Sequence, residues 1–260
     1  MYDRALLLGP LRNEVLALSQ VRRYGLESYG DPDYVSVYGS KPEEWYERGV
    51  RLLGRTAVEC TRDRLGDLIG GDVADLARAA GGVAPVVVDP FAGSANTLHW
   101  IGRHLSGSRC TGFELDDQVF AATRRNLSIL GLGLELHHVD YEAGLGMLAV
   151  PGGELLIAFV APPWGDALTE EHALDLRRTT PPVRAVVDVL AATFPRHRLL
   201  LAIQVHERVD RGSLAELTDR FDWSSTGVYD IDRPGRNMGL TLATMHWTPA
   251  ITSAQRGRPL

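Results

Sequence analysis

Apolar positions change their period once along this chain, and the change divides it. Up to about residue 80 the reading is mainly helical: Trp45, Val50, Leu53 and Ala57 recur at near-helical spacing. Pro42-Glu43-Glu44-Trp45 after Ser40 reads as a helix start with a serine cap and early acidic residues. Tyr24 to Tyr38, rich in Gly, Asp, Pro and Tyr, reads as a loop. From Val83 onward, short apolar or β-branched runs at 85–89, 108–114, 134–139, 154–160, 198–205, 224–231 and 239–247 predict strands. Amphipathic stretches at 95–105, 117–130, 169–192 and 212–220 predict helices between them. That alternation is the mark of βαβ units. It predicts an N-terminal helical cap over 1–80 and an α/β domain over 81–260, a seven-stranded, mostly parallel sheet with helices on both faces.

Composition narrows the setting. Apolar residues make up 45%, charged residues 23%, and the mean hydropathy is -0.08, the profile of an ordinary globular protein. The longest apolar runs, Leu199 to Ile203 and Leu155 to Pro163, fall well short of the roughly 20 residues that cross a bilayer. The first residues lack a signal-peptide core and cleavage site, so a cytosolic protein with no membrane partner is expected. Cys60 and Cys110 are too few and too far apart for a disulfide framework or a CxxC metal site, and read as buried thiols. His137-His138 has no third ligand at metal spacing, so no metal is assigned. A net charge of -6 and a pI near 5.8 disfavour nucleic acid as a partner. A homodimer is left open.

The chemistry concentrates at strand ends. Val86-Val87-Val88-Asp89-Pro90-Phe91-Ala92-Gly93-Ser94-Ala95-Asn96-Thr97 is a buried strand running into a small-residue turn and a helix, the place where a doubly wound sheet holds its ligand. Small residues let the backbone approach a cofactor, and amides at the helix start suit an anionic group. Asp89 suits the positive end of an amino acid. The next strand ends at Glu114-Leu115, about 20 residues past Gly93, from where a carboxylate grips ribose hydroxyls. A third strand ends at Asp140-Tyr141, an acid suited to an adenine amine beside a ring that covers it.

The fourth strand leads into Ala161-Pro162-Pro163-Trp164-Gly165. Two prolines fix φ, remove two amide donors and leave a stiff turn whose carbonyls face outward. Such a turn can hold an amine while Trp164 stacks on a planar ring. Tyr38, Asp166 and His206 are candidate acceptor-binding residues: Tyr38 as an aromatic wall from the cap, Asp166 as a nearby acceptor, His206 at the rim of the fifth strand.

Together, Asp89-Pro90-Phe91-Ala92-Gly93-Ser94 and Ala161-Pro162-Pro163-Trp164-Gly165 resemble the amino-methyltransferase branch of the Rossmann-like class I S-adenosylmethionine enzymes. That branch combines a D-P-F-x-G-[ST] turn with an [NDS]-P-P-[YFW] turn, and within it the chain resembles trimethylguanosine synthase-like enzymes. The resemblance spans about residues 83–175. It implies S-adenosylmethionine as cofactor, held by Asp89 to Ser94, Asn96, Thr97, Glu114, Leu115, Asp140 and Tyr141. It also implies methyl transfer at Ala161 to Trp164; the acceptor is read here as a small planar or amine-bearing molecule, whereas the likeness to a cap-guanine enzyme would imply an RNA base. Two positions depart from the pattern: Ala161 stands where the branch has Asn, Asp or Ser, and Asp166 replaces a second glycine. Two other readings stay open. An RNA base methyltransferase predicts a basic groove from Arg177, Arg178, Arg208 and Arg211; a Rossmann-like binding protein predicts cofactor uptake without catalysis.

Overall fold

The structure, a computed structural model, describes residues 2–81 and 84–250. Val83, where the period changes, and residues 251–260 of the predicted second domain lie outside the described residues. The chain opens with helices α1 (Arg4–Leu8), α2 (Leu18–Tyr29), α3 (Pro42–Glu47), α4 (Gly54–Glu59) and α5 (Asp63–Ala80). Strand and helix then alternate through β1 (Val86–Asp89), α6 (Asn96–His104), β2 (Arg109–Glu114), α7 (Asp117–Leu130), β3 (Glu135–His138), α8 (Tyr141–Met147) and β4 (Leu155–Val160). A 3₁₀ turn (Gly165–Ala167) precedes α9 (Val183–Thr193), β5 (Arg198–His206), α10 (Arg211–Thr218), β6 (Trp223–Val228) and β7 (Met238–Met245).

The strands form one sheet in the order β3-β2-β1-β4-β5-β7-β6. The first five are parallel, and β7 enters antiparallel between β5 and β6. Every residue of β1 and β4 is buried, because helices cover both faces and a two-sided strand has no solvent side on which to carry polar residues. Alternate residues part to the two faces. Val86, Val88, Leu156, Ala158, Leu199 and Leu201 meet α9 through Val183, Val186 and Leu190. Val87, Ile157 and Leu200 meet α5 and α6 through Leu65, Ile69, Leu98 and Ile101. Among the described residues no helix is long and apolar enough to cross a membrane.

A third cluster joins the N-terminal helices to the sheet. Leu7, Leu16, Val21, Trp45 and Leu52 pack with Ala92, Ala95 and Leu127, so residues 2–60 rest on the turn after β1 and on α7. Helix α5, by contrast, covers the sheet itself.

Four local expectations are corrected. Only Val183–Thr193 of the predicted 169–192 helix forms. Pro181 and Pro182 cannot sit inside a helix, and Pro182 instead stands at the N-cap of α9. Upstream of them, Leu174 pairs with the chain beyond β5, donating to the Arg208 carbonyl at 2.7 Å and accepting from Asp210 N at 2.8 Å. Helix α8 appears where none was predicted, capped by Asp140. The cap of α3 is Lys41, not Ser40, and its amide donates to Glu44 Oε2 at 2.9 Å. In the cap the 24–38 loop begins later, since α2 runs to Tyr29, and the Trp45-to-Ala57 spacing is carried by two short helices.

Helix α5 presents glycines to α6, leaving no room there for a Cβ. A Cβ on Gly70 would lie 2.7 Å from His104 Cδ2 and 2.8 Å from the Trp100 carbonyl oxygen, whereas one on Gly71 would meet nothing nearer than His104 Cε1 at 3.9 Å. Gly70→Ala is therefore expected to lose about 2 kcal/mol in urea unfolding despite its better helix propensity, and Gly71→Ala to be neutral or to gain up to about 1 kcal/mol. Equal effects at the two positions would show that the helix contact is looser than the structure has it.

Candidate active site

Parallel strands end on one side of a sheet, and there the predicted motifs meet. Asp89, the last residue of β1, is 2% exposed, and its Oδ1 accepts from Phe91 N at 2.9 Å. Burial lifts its carboxyl to about 7; the Phe91 amide works against this and the charge of Glu114 adds to it. Pro90 and Ala92 are buried beside it, and Ala92 N donates to the Phe113 carbonyl at 2.8 Å, tying the turn to β2.

Backbone in the turn is left-handed at Gly93 (φ 51) and Ala95 (φ 56). Glu114 holds it from β2: its Oε2 accepts from Gly93 N at 3.0 Å and its Oε1 from Asp116 N at 2.8 Å. A carboxylate offers about four acceptor positions, so about two stay open. Burial raises the Glu114 pKa, with the two amides opposing. Leu115, next in the chain, is 66% exposed, an uncovered apolar side chain at the mouth.

The cap grips the same turn from behind. Tyr38 donates its hydroxyl to the Ser94 carbonyl at 2.5 Å and its amide to Asn96 Oδ1 at 2.7 Å. Asn96 Nδ2 donates to the Thr61 carbonyl at 2.7 Å and to Asp63 Oδ1 at 3.1 Å. The structure thus does not bring Tyr38 to the diproline turn: it is buried under the β1 turn. The side chain of Asn96 is committed to the cap, and Thr97 is buried beside it.

After β3, Asp140 caps α8 through Glu142 N at 2.9 Å and is exposed. Tyr141 packs on Phe91, ring centroids 5.3 Å apart, and burial with the neighbouring Glu142 pushes its hydroxyl up to about 12. These residues join the first turn to the third strand end.

After β4, Ala161 is half-buried, Pro162 buried, and Trp164 half-buried against the α9-side core. The Pro163 carbonyl accepts from Thr180 N at 3.0 Å and that of Trp164 from Ala167 N at 2.8 Å. Among the described residues, no donor reaches the carbonyls of Ala161 or Pro162. Asp166 lies exposed in the 3₁₀ turn. His206 ends β5 three residues beyond Ile203, the partner of Val160, and its ring meets Trp164 edge to face at 6.1 Å and 89°. It is 4% exposed; burial lowers its pKa, with Glu207 opposing and Arg208 adding.

One functional candidate escaped the sequence. Arg55, 8% exposed, pairs with Asp116, lowers the Glu114 carboxyl, and leaves its Nε without a partner among the described residues. No motif surrounds it, and its partner lies far along the chain. Of the arginines expected to form a basic groove, Arg177 is ringed by Asp175, Asp210 and Glu216, and Arg208 donates to the Glu170 and Thr169 carbonyls at 2.8 Å each.

No protein-family model matches the sequence, and no curated protein matches it. Among solved structures the chain is similar to a METTL16 methyltransferase domain, with TM-score 0.52 and 15% identity over 74% of this chain and 72% of that one. It is similar also to a delta-N METTL16 methyltransferase domain, with TM-score 0.54 and 15% identity over 89% of this chain and 98% of that one. The fold is the Rossmann-like methyltransferase fold.

Asp89 gives this site a pH signature. A carboxyl near 7 when folded, against an ordinary 3.8, holds its proton more tightly in the native chain; its stabilising effect is full below about pH 4 and is lost as pH rises towards 7. Asp89→Asn removes the titration. Its melting temperature relative to the parent is expected to climb between about pH 5 and 7 and level off above, by thermal melts across that range. A difference independent of pH would place the titrating group elsewhere.

Proposed function

We propose that the chain is an S-adenosylmethionine-dependent methyltransferase of the amino-methyltransferase branch, acting on a nitrogen of a small planar or amine-bearing acceptor. The observation that carries this reading is the pair of unpartnered carbonyls at Ala161 and Pro162. They lie beside Trp164 at the end of β4, the strand adjoining the one that ends at Asp89. A stiff turn with two open acceptors and a flat indole is built to hold an amine on a ring.

The residues of the β1 and β2 ends fit the cofactor. A buried carboxyl at Asp89 suits an ammonium group. The open positions on Glu114 suit ribose hydroxyls, and the exposed Leu115 with Tyr141 and Asp140 suits an adenine ring. Arg55, whose buried Nε finds no partner among the described residues, suits a carboxylate. When bound, S-adenosylmethionine supplies a methyl group activated by a sulfonium.

The chain's own part is positioning. The Ala161 and Pro162 carbonyls accept the amine's N–H groups and turn its lone pair away from themselves. Trp164 fixes the ring plane. An uncharged amine already carries its lone pair, so no general base is required of the protein. Ala161 lacks the side-chain acceptor usual in this branch, and the free main-chain carbonyls take over that task, with Asp166 nearby. A small acceptor is favoured over RNA because Arg177 and Arg208 are engaged within the protein rather than free for phosphates.

Calorimetric titration with S-adenosylhomocysteine is expected to show one site; absence of binding overturns the reading. Glu114→Ala should weaken that binding about 10- to 100-fold, the worth of hydrogen bonds to a charged group. Trp164→Ala should lower kcat on a competent acceptor about a hundredfold with cofactor affinity nearly unchanged. Loss of cofactor binding in the Trp164 variant instead would move that indole into the cofactor site.

A further inference from the structure

His206 sits where β5 delivers a side chain to the flank of the diproline turn, and one of its two ring nitrogens is already committed. Nδ1 accepts the Arg208 amide at 3.1 Å. An amide donates only, so Nδ1 must carry the lone pair, and the neutral ring holds its proton on Nε2. Burial keeps the ring neutral. Nε2 finds no partner among the described residues, yet it is not sealed off in the interior. The side chain is thus more than nine-tenths buried, fixed in tautomer, pressed edge to face on Trp164, and left with one unanswered donor.

A ligand that covers such a donor without accepting from it leaves it unmade at a cost of about 1–3 kcal/mol, so the site discriminates strongly against ligands of that kind. The carbonyls of Ala161 and Pro162, which no donor reaches among the described residues, belong to the same turn as Trp164. The turn thus brings open acceptors, and the strand end an open donor, to the neighbourhood of one indole.

Resting on the methyltransferase reading, we infer that His206 is a specificity-determining residue: its Nε2–H donates to a lone pair that the acceptor carries next to its target amine. The acceptor is then an amino-heterocycle or amide-like edge rather than an isolated amine. His206 is not a general base for this reaction. A basic Nε2 would require the proton on Nδ1, where it would face the Arg208 N–H.

The test uses the full chain saturated with S-adenosylhomocysteine, at about pH 8 so that both probes are neutral. The probes are 2-aminopyridine, which has a ring nitrogen beside its amine, and aniline, which has none. Ligand-observed NMR is expected to show 2-aminopyridine bound at least about tenfold more tightly, the value of one hydrogen bond. His206→Phe should abolish the preference while leaving S-adenosylhomocysteine affinity as it was. His206→Gln, which keeps a donor, should retain part of it and serves if the Phe variant does not fold. Nitrogen NMR of labelled histidine should show the proton on Nε2. Equal binding of the probes, binding of neither, a preference that survives the Phe change, or a proton on Nδ1 overturns the inference. Failure of S-adenosylhomocysteine itself to bind sinks the methyltransferase reading, a separate result.

Discussion

A short piece of strained backbone has to be held still for this site to exist. Ala95, at φ 56 and ψ 17, adopts a left-handed conformation that costs a residue with a Cβ about 1–2 kcal/mol. Such a conformation persists only where its surroundings over-determine it. Here they come from separate parts of the chain. Tyr38 holds the Ser94 carbonyl and Asn96, Thr123 donates to the Gly93 carbonyl at 2.7 Å, and Glu114 takes the Gly93 amide. The cap is thus more than a cover, since it fixes the turn that the sheet alone would leave to relax. Its apolar packing on Ala92, Ala95 and Leu127 keeps Tyr38 in place to do so.

Electrostatics in the cleft follow from that geometry. Two carboxyls, Asp89 and Glu114, are buried near one another and both are pushed upward. Arg55 enters from the cap, pairs with Asp116 and eases the charge on Glu114. Burial pushes Asp116 up, but hydrogen bonding from Arg55 and from the Val119 and Gln118 amides outweighs it and leaves the group low. Among the described residues, the buried Arg55 Nε is left unpaired beside that pair. Stability is given up at such groups, and a functional cleft is where a fold tolerates that loss.

What the sequence revealed divides by range. Helix α7 is legible to its ends because Asp116 caps it and Gly131 closes it, both local signals. Strands β1 and β4 are legible because two-sided burial leaves an unbroken apolar run. Helix α8 was hidden by Gly144 and Gly146, which dilute its pattern, and the stretch before Pro181 looked helical only because its apolar spacing drowned the two prolines. Within the site, the residues that end strands were readable from spacing. The bond of Tyr38 to Asn96 spans 58 positions and the Arg55–Asp116 pair is similarly remote, so neither leaves a local trace. Tyr38 looked like a wall of the cleft because an aromatic in a loop gives no sign of what it will pack beneath.

Main-chain oxygens are a kind of contact that substitution cannot erase. If the amine is gripped at Ala161 and Pro162 by carbonyls alone, the grip is inherited by any descendant that keeps the diproline corner, whatever side chain stands at the first position. Selectivity would then drift through Trp164 and His206 while the transfer chemistry stays intact. Under the proposed reading, such an arrangement would let the acceptor change without loss of the main-chain grip.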